Sequence, residues 1–134
     1  MKPQTQVFKS GINVNTATVK RVSTLFQYPV FSFKEIKRGY GVDECNKDAK
    51  ASLALKLSKI GSLAWIELQQ ADRHGLGCEK IAKSAIKAET NFIPSDALLI
   101  AFRFYGKAPM IGYRCNLGVF HIVWLDRDLT LYKH

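Results

Sequence analysis

Between Leu98 and Leu125 three apolar runs follow one another with only a few residues between them, and no other stretch limits the fold as tightly. Leu98, Ile100, Phe102 and Phe104 fill one side of a first strand, and Leu99, Ala101, Arg103 and Tyr105 fill the other. Gly106-Lys107-Ala108-Pro109 has the composition of a turn. Met110–Cys115 makes a second strand, Asn116-Leu117-Gly118 a second turn, and Val119–Leu125 a third strand. Asp126-Arg127-Asp128 then turns into a last strand, Leu129–Lys133. Connections this short force neighbouring antiparallel strands, so the C-terminal third is expected to be a meander.

Upstream the periodicity is mixed. Val30–Ile36 alternates, with Phe31, Phe33 and Glu35 on one side, until Gly39 and Gly41 break it. Asp43 is a plausible helix cap before Ala49, Leu53, Leu57 and Ile60, which recur at helical spacing, and Gly61 stops that helix. Ser62 can cap a second one carrying Leu63, Trp65, Ile66, Leu68 and Gln70, so residues 43–73 read as a helical hairpin packed on the sheet. The loop His74-Gly75-Leu76-Gly77 leads to a short basic helix over Glu79–Ala88, with Lys80, Lys83 and Lys87 on one stripe. Residues 1–29, in which Ile12–Val19 alternates, form a strand or a flexible arm. The expected fold class is α+β: an N-terminal strand, a helical hairpin and a C-terminal antiparallel β-meander packed on the helices. At 134 residues the chain suits one domain, 30–134, behind an extension, 1–29.

Twenty Lys and Arg against eleven Asp and Glu leave a formal charge of +9, which points toward a polyanionic partner. Residues 1–42 hold a net +6, residues 43–100 balance at eight of each sign, and residues 101–134 hold +3. If the two ends meet in the fold they make one basic surface. Cys45, Cys78 and Cys115 are odd in number and widely spaced, which indicates neither a disulfide framework nor a metal site and suits reduced, buried thiols. The first residues lack an apolar leader core and no run reaches the ~20 apolar residues of a membrane span, so a cytoplasmic protein without a membrane partner is expected. Glycine-rich nucleotide loops, the hydrolase elbow and the zincin helix motif are absent, and no cofactor is expected.

What remains is a set of polar residues in the meander. Arg103 interrupts an apolar strand, Arg114 closes the next, His121 shares a face with Val119 and Val123, and Tyr132 and His134 share a face of the last. Singly, each has a bland explanation as an edge arginine, a core histidine or an exposed terminal group. Together they match what metal-free RNA cleavage needs: a base for the 2′-hydroxyl proton, a cation for the charge developing at phosphorus, and an acid for the leaving 5′-oxygen. Histidine serves as acid or base near neutral pH, and arginine clamps phosphate in a bidentate grip.

The order of elements resembles the RelE/ParE/HigB superfamily of toxin–antitoxin toxins. The matching pieces are Phe31-Ser32-Phe33-Lys34-Glu35-Ile36, the hairpin 43–73, Leu99–Phe104, Ile111-Gly112-Tyr113-Arg114, and Val119–Leu125 running into Leu131-Tyr132-Lys133-His134. The resemblance covers residues 30–134 and implies a small endoribonuclease, a hydrolase acting on RNA that includes ribosome-bound mRNA and neutralised by a cognate antitoxin. By position it makes Arg114 the phosphate clamp, Arg103 a second clamp, and His134 with Tyr132 the acid and base pair. Lys34, Lys37, Arg38, Lys107 and Arg127 become the RNA-facing cations. The chain departs from the pattern in its thirty N-terminal residues, in the long segment His74–Asp96 and in the extra strand Leu129–His134. A second expectation, from a different class, is a non-catalytic basic module of mobile-element or phage type that binds nucleic acid or an acidic protein.

Overall fold

The structure, a computed structural model, describes residues 27–71 and 76–132. The possible strand at Ile12–Val19 therefore lies outside the described residues, as does His134. The chain is α+β, with a mixed five-stranded sheet: β1 (Val30–Ser32), β2 (Glu79–Lys80), β3 (Leu98–Tyr105), β4 (Ala108–Arg114) and β5 (Val119–Leu125). Two helices, α1 (Lys47–Gly61) and α2 (Trp65–Gln70), lie between β1 and β2 in sequence. The strand order is β1-β5-β4-β3-β2. β3, β4 and β5 form the antiparallel meander, while β1 lies parallel to β5 with Val30 opposite Val119.

The central strands are buried on both faces. On the helical face Ile100, Phe102, Phe104, Met110, Phe120, Ile122 and Leu125 pack with Ala49, Leu53 and Ile60 of α1 and with Trp65 and Leu68 of α2. The second face carries Leu99, Ala101, Ile111, Tyr113, Val123 and Trp124 beneath Ile81, Ile86, Ile93 and Leu131. The long segment between β2 and β3 is thus a third layer, which explains why the strands read as nearly continuous apolar runs.

Two bulges set which side chains face where. On β5, Ile111 pairs with Trp124 and Gly112 with Ile122, so Val123 is the extra residue and both Val123 and Trp124 point to the second face. Gly112 is needed beside it, because a Cβ there would collide with the backbone carbonyl of His121 and the ring of Phe120. On β3, Tyr105 pairs with Ala108 but Arg103 with Pro109, which makes Phe104 the extra residue. Tyr105, expected on the second face, accordingly packs against the helical-face core.

Several local expectations are corrected. The cap of α1 is Asn46, whose Oδ1 accepts from Ala49 N at 2.8 Å, while Asp43 sits in a separate 3-10 turn, Val42–Glu44. Ser62 closes α1 by donating its hydroxyl to Lys59 O at 2.8 Å, and α2 starts after Ala64, whose N–H donates to Glu67 Oε1. The first strand stops at Ser32, where Ile36 N folds back to Phe33 O. Phe31 packs edge-on against Phe120, whereas Phe33 is exposed.

The basic helix over Glu79–Ala88 does not form. Pairing along β3 takes Lys80 opposite Ile100 and Ile81 N to Leu99 O, and only a 3-10 turn, Lys83–Ala85, follows. The turn before β4 is Gly106-Lys107, with Ala108 and Pro109 already in the strand. The last strand is absent among the described residues. Leu129 takes φ 58°, and only an isolated bridge joins Tyr132 to Ile86. The cause is Asp126, buried at 1% exposure. Its Oδ1 accepts from Thr130 N and Oγ1, and its Oδ2 from Leu131 N, which curls the chain away from an extended course.

Candidate anion-binding cleft

Arg114 ends β4 opposite Leu98 on one side and Phe120 on the other, so its side chain leaves the sheet on the helical face. There its guanidinium carbon stands 4.4 Å from the centre of the Trp65 ring. Trp65 is a fixed platform. Its indole N–H donates to Gly118 O at 2.9 Å, its backbone N–H donates to Gln27 O at 2.9 Å, and its ring meets Phe102 and Phe120. Gln27, Ala64, Trp65, Ile66 and Arg114 line an open cleft of about 360 Å³.

Arg114 is half-buried, and the loss of solvent lowers its pKa from the usual arginine value, with the Cys78 and Cys115 thiols acting in the opposite direction. Burial likewise pushes the Cys78 thiol up. Among the described residues no carboxylate pairs with the Arg114 guanidinium. A desolvated cation without a counter-ion, set in a concave site, is a place for an incoming anion.

The other residues singled out in the sequence lie elsewhere. Arg103, opposite Pro109, shares the face of Leu99 and Ala101. Along β4 it stands five positions from Arg114, about 16 Å at ~3.3 Å per residue, and on the opposite side of the sheet. His121, opposite Tyr113 and Ser32, stacks on the Tyr113 ring at 4.8 Å and 22°, also on the second face, with its Nδ1 buried and without a hydrogen-bond partner. Burial raises the Tyr113 hydroxyl pKa, helped by Glu35 and Cys115. Tyr132 donates its hydroxyl to Glu79 Oε2 at 2.9 Å. The expected clamps and the acid and base groups within the described residues are therefore not gathered around Arg114.

Within the described residues, the segment around Lys37–Gly39 meets the segment around Val123–Arg127. Lys37 N donates to Val123 O, and Arg127 donates to Gly39 O at 3.1 Å. The cations brought there are largely engaged: Lys34 with Glu35 at 3.4 Å, Lys37 over the Phe92 ring at 3.8 Å, and Arg127 with Glu44 and Asp128. Arg38 and Lys107 are exposed. Lys83, expected on a basic stripe, instead donates to Ile93 O and Pro94 O and pins the third layer. Fourteen of the Lys and Arg and ten of the Asp and Glu fall within the described residues, a net of +4, so more than half of the +9 lies outside them.

Sequence reasoning picked out Arg114 but read Trp65 as plain core, and it missed Gln27 and Ile66, which carry no motif. It also missed the buried Asp126, whose only signal is a threonine four residues on. Among the described residues no group of three or more His, Cys, Asp or Glu could hold a metal ion, the three cysteines are free, and no helix is long and apolar enough to cross a membrane. No family model, curated protein or solved structure matches the chain.

Proposed function

We propose that the chain is a basic module that binds single-stranded RNA, with the half-buried Arg114 as its phosphate contact, and that it holds the strand without cutting it. The observation that carries this reading is the half-buried guanidinium over Trp65 in the cleft, which pairs with no carboxylate among the described residues. A flexible strand can push one phosphate into such a recess, whereas a duplex offers its phosphates on a stiff cylinder. Holding is favoured over cutting because Arg103, His121 and Tyr132 face the other side of the sheet. The free thiols suit a cytosolic setting.

The test is fluorescence anisotropy with a labelled single-stranded RNA of roughly twelve nucleotides, within the span such sites cover. Arg114→Gln should weaken binding about 10-fold or more, as expected for loss of a charge-assisted bond worth ~1.5–3 kcal/mol. The plot of log affinity against log salt should become shallower by roughly 0.7. Unchanged affinity would sink the reading. Shortened RNA on a gel would instead restore the RelE-like ribonuclease, with His134 as the residue to replace.

A further inference from the structure

Lys80 and Lys83 were expected on one stripe, but the fold separates them. Lys83 is spent on the carbonyls of Ile93 and Pro94. Lys80 lies on β2 opposite Ile100, which faces the helical layer, and Arg114 lies on β4 opposite Leu98 on that same face. Two strand spacings of ~4.8 Å and two residues at ~3.3 Å put the Cα atoms of Lys80 and Arg114 about 12 Å apart. Both charges act on one sulfur: burial pushes the Cys78 thiol up, and its own backbone, Arg114 and Lys80 pull it back. Lys80 is exposed, and among the described residues no carboxylate pairs with it. The acid beside it, Glu79, is turned to the second face opposite Ala101, where it accepts from the Tyr132 hydroxyl.

We infer that Lys80 is a second phosphate contact for the strand that Arg114 holds, so that the RNA runs from the Arg114 cleft toward the β2 edge of the sheet. This rests on the RNA-binding reading above. A single strand carries a charge at every nucleotide, so a cation on the same face as the first contact meets a further phosphate of the same molecule. The two side chains divide the work. Arg114, held over Trp65, fixes where one phosphate sits. Lys80 is a point charge on a flexible stem and follows the neighbouring backbone without a set geometry.

The salt dependence of binding to a labelled single-stranded RNA of roughly twelve nucleotides tests this. Lys80→Gln should weaken binding roughly 2-fold to 5-fold, as for an exposed ion pair, and flatten the plot of log affinity against log salt by roughly 0.7. Combined with Arg114→Gln it should flatten the plot by roughly 1.4. Lys80→Arg keeps the charge and should keep the slope. Lys50→Gln removes the same charge far from the cleft: Lys50 acts on Cys45 together with Arg127, which follows the end of β5, whereas Arg114 pairs near its start. Its slope should stay that of the wild type. A wild-type slope in Lys80→Gln, or equal flattening by Lys50→Gln, overturns the inference. If Arg114→Gln flattens the plot and Lys80→Gln does not, only the role of Lys80 falls. If neither changes it, the RNA-binding reading falls as well.

Discussion

Arg103 and Arg114 stand on opposite faces of the sheet because one residue, Phe104, bulges out of the β3–β4 ladder between them and the turn. From Tyr105 opposite Ala108, an unbroken ladder would set Arg103 against Met110, on the side of Arg114. The bulge sets it against Pro109 instead. The two guanidiniums therefore act on different surroundings. Arg103→Gln should leave Arg114-dependent RNA affinity within about 2-fold, and the double substitution should match the sum of the singles in free energy. Coupling of more than ~0.5 kcal/mol in that cycle would contradict the separation.

Trp65→Phe removes the indole N–H that Gly118 O accepts and shrinks the ring beneath Arg114. Stability should drop by ~1–3 kcal/mol in urea titration, because a buried carbonyl loses its partner. RNA affinity should fall beyond what the stability loss explains at concentrations where the protein remains folded. Wild-type affinity in folded Trp65→Phe would show that Arg114 needs no platform.

Asp126→Ala strips three hydrogen bonds from the backbone and side chain of Thr130 and the backbone of Leu131. The expected cost is ~2–4 kcal/mol of unfolding free energy, since Leu131 N is buried and would be left without a partner. Hydrogen exchange at the Leu131 and Thr130 amides should speed up together. Exchange unchanged at both would mean that Asp126 does not hold this turn.

Two glycines should respond in opposite senses to alanine. At Gly112 the added methyl meets the His121 carbonyl, and at least ~2 kcal/mol of stability should be lost. At Gly61, the last residue of α1, the nearest atom is Phe31 Cε2 at 3.6 Å, an ordinary contact, and stability should rise by ~0.4–1 kcal/mol. Denaturant melts of both variants decide the matter.

Burial raises the thiol pKa of both Cys45 and Cys78 from 9.0. Above that value the unfolded chain releases protons that the folded chain keeps, so νU − νN is negative and stability falls as pH rises. Below about pH 8 this contribution is fully present. Unfolding free energies measured from pH 7 to pH 10 should therefore decline more steeply for the wild type than for Cys45→Ala/Cys78→Ala. Parallel curves would show that the thiols titrate alike in both states.

The strands of the meander were legible because burial on both faces leaves dense apolar runs bounded by turn residues. Val119–Leu125 appears in the fold with the bounds its alternation gives. The basic segment after Glu79 was misread because lysines three and four apart imitate a helix face, while the pairing of Ile81 with Leu99 that overrides it is long-range. Leu129–Lys133 alternates, yet a buried carboxylate upstream bends it. Arg114 was visible as a lone cation at a strand end. Its distance from Arg103 was not, because a single-residue bulge leaves no trace in periodicity.

The pairing of β1 with β5 sets a timetable for the newborn chain. Val30 leaves the ribosome long before Val119 and, at ~5–20 residues per second, waits on the order of ten seconds for its partner strand. During that interval the segment around Tyr28–Phe33 has nothing to pair with in the sheet. A nascent chain arrested before Val119 should be cut there by protease, and one arrested well past Leu125 should be protected.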